Sequence, residues 1–258
     1  MSSKYDFPIL ELENVTFAYS GRETIINNLT LSVGNGEFIG LLGANGSGKS
    51  TILKLASGIL QQRSGRIDLW EKEMQSYRNK DRAKLLSYLP QLLDINVPFT
   101  VRELVGMGLY PYDILPHLTV DEALDAVGLA DKAESPLTDL SGGERRRAFI
   151  AMTLLQGAGL LLLDEPLANL DIKYQMELLK LLGELKEKKG IASIMALHDI
   201  NIAFQFEKVM LIKEGTILGM GTPDAVLTGE MLKEAFGVSI EVKRADDGST
   251  YINYGSVL

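Results

Sequence analysis

The chain has 258 residues, 46% apolar and 23% charged, the balance of an ordinary soluble globular protein with a large core. Lys and Arg number 26 against 34 Asp and Glu, and the resulting net charge of −8 argues against nucleic acid as the main partner. With no cysteine, a disulfide framework, a thiolate nucleophile and a Cys-ligated zinc are excluded. No stretch reaches the roughly 18–20 continuous apolar residues of a membrane helix. Met1 to Leu10, with Asp6 and Pro8, lacks a signal-peptide core. A protein that meets a membrane only through another protein is expected.

In chain order, residues 10–19 and Thr24 to Val33 read as strands, with a Gly-Asn-Gly turn after the second. Glu37 to Leu42 is a short apolar run entering a glycine-rich loop, and a helix follows from near Lys49 to Gly58. Ile67 to Leu69 reads as a strand, Asn79 to Lys84 as a helical turn, and Leu85 to Leu89 as a strand ending at Pro90. From Gln91 to Thr138 the texture changes. Pro98, Pro111, Pro116 and Pro136 separate the helical patterns Val101 to Met107 and Val120 to Val127, which predicts an inserted helical subdomain. A strand–helix rhythm then returns. It runs through a helix from Gly142 or Gly143 to Gln156, a strand at Leu160 to Leu163, a helix at Ile172 to Lys188, a strand at Ile191 to Leu197 and a helix at Ile200 to Phe206. Val209 to Ile212 and Thr216 to Leu218 flank a Glu214-Gly215 hairpin turn, and the tail holds a helix near Glu230 to Phe236 and two short strands. Uniformly apolar strands alternating with helices predict an α/β fold with a mainly parallel sheet covered on both faces.

Gly43 to Ser50, GANGSGKS, fits G-x-x-x-x-G-K-[ST]. Glycines let the backbone aim N–H groups at phosphate oxygens, and the helix that follows adds its positive N-terminal end. Lys49 is placed to reach β/γ-phosphates, and the Ser50 hydroxyl to ligand Mg²⁺. A chance match has odds on the order of one in a hundred. Leu160 to Glu165 reads as a buried strand ending in two acids, beyond the end of a parallel strand where ligands sit. Asp164 suits a Mg²⁺ shell, and Glu165 suits orienting or deprotonating water. Two solvated acids at a strand end are the bland alternative, which the phosphate loop in the same chain outweighs. At Leu140 to Glu144, Ser141 and Glu144 form a capping-box pattern. An ordinary capped helix explains these two residues. The consecutive Gly142 and Gly143, each costing about 1 kcal/mol against Ala, also fit a second phosphate-binding helix end. Spacing alone leaves both readings open.

Taken in order, these motifs resemble the nucleotide-binding subunits of ABC transporters over nearly the whole chain. LSGGE at Leu140 to Glu144 is similar to the family signature, LLLLDEP at Leu160 to Pro166 to the second nucleotide motif, and Asn169-Leu170-Asp171 to the D-loop. His198 in LHDI resembles the switch histidine, Gln91 after Leu89-Pro90 the Q-loop, and Tyr19 the adenine-stacking aromatic. The resemblance implies a P-loop NTPase fold with a mainly parallel core, an N-terminal antiparallel β subdomain and the helical insertion. Its units would be 1–90 with 140–258 for the ATP-binding core, and 91–139 for the helical subdomain.

The resemblance also implies ATP and Mg²⁺ as ligands and a head-to-tail dimer of two copies with ATP between them. Each ATP would meet Gly43, Asn45, Gly46, Gly48, Lys49, Ser50 and Thr51 of one copy and Ser141, Gly142 and Gly143 of the other. Ser50, Gln91 and Asp164 would serve the metal, Glu165 and His198 catalysis, and Asp171 the interface. Membrane permease subunits would dock on the helical subdomain, with the chain on the inner face of the cell membrane.

Within the family, KDRAKLLSYLPQ at Lys80 to Gln91 and GMGLYPY at Gly106 to Tyr112 resemble the importer ATPases for iron-siderophore, haem and cobalamin. Leu109, where Arg is common, and Leu167, where Thr is usual, depart from that group. A soluble assembly ATPase of an iron–sulfur scaffold shares every ATP motif and is the alternative. A chromosome or repair ATPase would need a long coiled coil, but only 90 residues separate Ser50 from Ser141. A module without turnover is disfavoured by the presence of both Glu165 and His198. Arg145, Arg146 and Arg147 are expected to form a solvated face with one member paired. His117 has no second His or Cys near it and is not expected to hold a metal.

Overall fold

Short apolar runs and amphipathic stretches assemble into two main sheets flanked by helices in a computed structural model that describes residues 7–21, 23–91, 98–113, 118–246, 248 and 250–253. The N-terminal part forms β1 (Leu10–Phe17), β2 (Ile26–Val33) and β3 (Phe38–Gly43), the last leading through a loop into α1 (Lys49–Ala56). β4 (Ser64–Leu69), the two-residue β5 (Lys72–Glu73), α2 (Asn79–Leu85) and β6 (Leu86–Leu89) follow. Two short helices come next, α3 (Val101–Gly106) and α4 (Val120–Ala126), before the longer α5 (Gly142–Leu155). β7 (Leu160–Asp164), α6 (Ile172–Lys189), β8 (Ala192–Ala196) and α7 (Ile200–Ala203) precede the hairpin of β9 (Lys208–Lys213) and β10 (Thr216–Gly221). α8 (Pro223–Val226), α9 (Gly229–Phe236), β11 (Glu241–Arg244) and β12 (Thr250–Asn253) complete the described chain. His117, Pro116 and residues 92–97 of the expected helical subdomain lie outside the described residues.

The larger sheet has the order β10-β9-β3-β8-β7-β6 and is parallel except for the β9–β10 hairpin at its edge. Every residue of β3, β7 and β8 is buried, as a parallel sheet covered on both faces requires. Alternate residues of β7 serve opposite layers. Leu160 and Leu162 face the core shared with β1, β2 and α1. Leu161 and Leu163 face a core that continues through α5 and α6 to Leu104 of α3 and Leu124 of α4. The second sheet, β2-β1-β4-β5, is antiparallel throughout, as the resemblance leads one to expect. β2 buries one face and exposes the other, since only one side meets the core.

Several element boundaries differ from the sequence reading, as at β10, which runs to Gly221 and not Leu218. The helix expected to reach Phe206 stops at Ala203 because the chain turns inward and stacks Phe206 on Phe38, with ring centroids 4.3 Å apart. β4 begins at Ser64, which pairs with Thr16. α8, absent from the sequence reading, opens on Pro223 at its first turn, a helix-start signal.

Candidate active site

The parallel strands β3, β8, β7 and β6 bring their C-terminal ends to one edge of the sheet, where ligands bind in open α/β folds. The glycine loop leaves β3, Asp164 and Glu165 end β7, Gln91 follows β6, and His198 follows β8. A cavity of about 440 Å³ opens there, and Asn45, Gly46, Gly48, Lys49, Ser50, Thr51, Gln91, Glu165 and His198 share its wall. Topology thus gathers residues that stand up to 153 positions apart, from Asn45 to His198.

The loop is shaped by close approach. A Cβ on Gly43 would lie 2.5 Å from the Ile212 carbonyl oxygen and 2.6 Å from Ser47 Oγ, so no side chain fits. Gly48 adopts φ +106 and begins α1 without a side-chain cap, which leaves the first amides of that helix to an anion. Lys49 is 6% exposed, and its Nζ donates to the carbonyls of Gly43 (2.7 Å) and Ala44 (3.2 Å). Burial pushes its pKa down, while the charges of Glu165 and Asp164 pull it back up. Ser47 Oγ is buried with no hydrogen-bond partner among the described residues, an orphan at the edge of a polar cradle.

The acids are held differently. Asp164 is 1% exposed and accepts from Ser50 Oγ at 3.1 Å and from Tyr88 OH at 3.4 Å. Burial raises its pKa above the usual carboxylate range, against the pull of the Ser50 hydrogen bond. Burial and the Asp164 charge in turn push the Tyr88 phenol up. Glu165 takes a left-handed backbone, φ +53, which costs a non-glycine residue about 1–2 kcal/mol. Its Oε2 accepts from Gln91 Nε2 at 2.5 Å and lies 2.6 Å from His198 Nε2. The donors near Asp164 are hydroxyl, carboxylate and amide oxygens, the hard set that suits Mg²⁺. No group of three or more His, Cys, Asp or Glu side chains able to hold a metal occurs among the described residues.

Not every expected residue meets at this cavity. Tyr19 does not line it; it is half-buried, edge-on to Phe17 with centroids 4.9 Å apart. Ser141, Gly142 and Gly143 start α5 elsewhere, with Ser141 and Gly142 exposed and open space where a Gly142 Cβ would point. They adjoin the turn before α6, since a Cβ on Gly143 would lie 3.2 Å from the Asn169 carbonyl oxygen. Asp171 is exposed at the N-cap of α6 and accepts from Tyr174 N at 3.1 Å.

The arginine run is not the expected solvated face. Arg146 is 5% and Arg147 7% exposed, and both donate to backbone carbonyls. Arg147 donates to Val127 and Gly128 and lies 3.7 Å over the Tyr174 ring. The signal was in the register. Phe149, Ile150 and Thr153, all buried, follow Arg146 at three, four and seven positions, so Arg146 stands on the core face of α5.

Comparison with known proteins follows the same lines. Residues 26–168 match the family described as ABC transporter. A hemin import ATP-binding protein from Nitrobacter winogradskyi is 37% identical, over 94% of this chain and 93% of that protein. An iron(3+)-hydroxamate import ATP-binding protein from Bacillus subtilis is 39% identical, over 90% and 89%. A dimeric ATP-binding cassette solved in a post-hydrolysis state with ADP and Pi matches with a TM-score of 0.73 and 26% identity, covering 83% of this chain and 98% of that one. With matched motifs in one order, one sheet topology and relatives alike over almost their whole length, this chain belongs to the ABC transporter family.

Proposed function

We propose that this chain is the ATP-binding and ATP-hydrolysing subunit of an importer that takes up a metal chelate of the iron-siderophore, haem or cobalamin type through membrane permease subunits. The observation that carries the ATPase reading is the meeting of the phosphate loop and Glu165 in one cavity wall. Gly43, Asn45, Gly46, Gly48, Lys49 and Thr51 hold the phosphates through backbone amides and one ammonium. Tyr19, outside the cavity wall, would stack on an adenine that extends past that wall. Ser50, Asp164 and Gln91 would hold Mg²⁺, which when bound neutralises charge on the phosphate oxygens. Glu165, buried and fixed by Gln91 and His198, takes the proton of the attacking water, and His198 orients that water and the terminal phosphate. ATP and water become ADP and phosphate. Ser141, Gly142 and Asp171, exposed, and Gly143, half-buried, are not in the wall of the cavity and serve the ATP of a second copy across a head-to-tail dimer.

The import reading is supported by relatives that carry import in their names. Those relatives do not favour the soluble scaffold ATPase. No helix among the described residues is long and apolar enough to cross a membrane. In this reading partner subunits form the membrane passage, with the chain on the inner face of the membrane and the helical segment as their dock. The test is a pull-down from detergent-solubilised membranes of the source organism, using tagged Glu165→Gln protein with ATP. Stoichiometric recovery of a polytopic permease is expected. A soluble scaffold protein recovered alone would overturn the transporter reading and leave the ATPase.

A further inference from the structure

The chemistry assigned so far leaves Arg146 without a role. Its guanidinium has five N–H donors, and each finds a backbone carbonyl. Nη1 donates to Pro90 (2.9 Å) and Gln91 (2.8 Å), Nη2 to Asp164 and Glu165 (2.7 Å each), and Nε to Pro166 (3.4 Å). Its hydrogen bonds all go to backbone carbonyls, which solvate this buried cation, while the charges of Asp164 and Glu165 also act on it. The arrangement has a reason in the sheet. β6 and β7 are parallel neighbours whose mutual ladder ends at Leu89 and Leu163, and Arg146 donates to the carbonyls that follow on both segments, of which that of Glu165 also accepts from Ala168 N at 3.1 Å. Buried carbonyls need donors, and a planar fork with five donors serves both strand ends at once.

The held peptides are those that aim the site. The carbonyls of Asp164 and Glu165 flank the φ +53 backbone that turns the Glu165 carboxylate into the cavity. The Gln91 carbonyl belongs to the residue whose side chain donates to Glu165 Oε2 at 2.5 Å. We propose that Arg146 is a positioning residue for ATP hydrolysis, clamping the ends of β6 and β7 so that Glu165 and Gln91 keep their relative placement. This rests on the reading of Glu165 as the base. Arg146 itself touches neither the nucleotide loop nor the reacting atoms. Its loss therefore moves turnover more than nucleotide binding.

The experiment compares Arg146→Lys, Arg146→Met and Glu165→Gln with the parent, all as full chains. Steady-state hydrolysis gives kcat and KM, titration with a fluorescent ATP analogue gives affinity, and thermal melting reports folding. In Arg146→Met, kcat is expected to fall about tenfold to a hundredfold, the range for a small misplacement of a catalytic group, with analogue affinity within about threefold. Arg146→Lys, which keeps the charge and three donors, is expected to recover part of kcat at the same affinity. If the Met variant does not fold, the Lys variant decides through the same split between kcat and affinity. Unchanged kcat in the Lys variant, or a parallel loss of kcat and affinity, overturns the proposal. If Glu165→Gln has lost turnover while the Arg146 variants keep it, the positioning role alone fails. If Glu165→Gln turns over normally, the base assignment fails and the positioning role with it.

Discussion

Asp164 is 1% exposed, and burial lifts its carboxyl above the usual range although Ser50 and Tyr88 both donate to it. A carboxyl whose pKa is raised by folding favours the folded state only while protonated. That contribution is complete below the ordinary carboxylate range and is lost as pH rises through the folded value. At neutral pH the ionised Asp164 is thus a cost, one that the proposed Mg²⁺ role would account for. Asp164→Asn keeps an acceptor for Ser50 and removes the charge. It is expected to raise stability at pH 7 by about 1 kcal/mol, or roughly 2–4 °C in melting temperature. The advantage should vanish in melts taken below about pH 4. Mg²⁺-dependent hydrolysis by the same variant is expected to fall by at least about a hundredfold. Equal melting temperatures at pH 7 would show that the buried carboxylate carries no penalty.

At the level of elements, the starts of the helices were the most legible features. Thr100 with Glu103, Thr119 with Glu122 and Ser141 with Glu144 form complete capping boxes at α3, α4 and α5. A capping box needs four consecutive residues, so it can be read without knowing the fold. The box at α5 has a tertiary addition, an ion pair between Lys132 and Glu144. That pair first, and the Ser141 amide second, hold Glu144 down at about 2. A carboxyl lowered by folding stabilises above its ordinary range, near 4.5, and the contribution fades as pH falls toward 2. Glu144→Gln is expected to cost about 1 kcal/mol at neutral pH in urea titrations. The gap to the parent should close between pH 4.5 and 2. A gap that stays constant with pH would mean that the charge of Glu144 does nothing for α5.

At the scale of the whole molecule, the cavity beside the phosphate loop lies at the sheet edge, and the exposed starts of α5 and α6 do not line it. Ile172 and Met176, just past Asp171, are apolar and 78% and 49% exposed. Such a surface suits a second copy that closes over the nucleotide. Glu165→Gln with ATP and Mg²⁺ is therefore expected to elute from gel filtration at twice the monomer mass, with hydrolysis reduced at least about a hundredfold and ATP affinity retained. A monomer that still turns over would refute the role of Glu165. A monomer without turnover would refute only the dimer.

The sequence by itself determined the phosphate loop, the two acids, the capping box at Ser141 and Glu144 and the strand–helix order. Each of these is a short-range pattern in which neighbours along the chain are neighbours in space. It also carried Gln91, His198 and Tyr19 through family resemblance, because their local contexts are specific while their distance from the loop is not readable. Only the tertiary structure decided what meets what. Parallel strands β3, β6, β7 and β8 bring separate segments to one edge, so that Gln91 and His198 reach the same oxygen of Glu165. It also overturned the solvated reading of the arginine run. A guanidinium can be buried when carbonyls surround it, and the carbonyls around Arg146 come from positions 18 to 56 residues away, a proximity that no local pattern records.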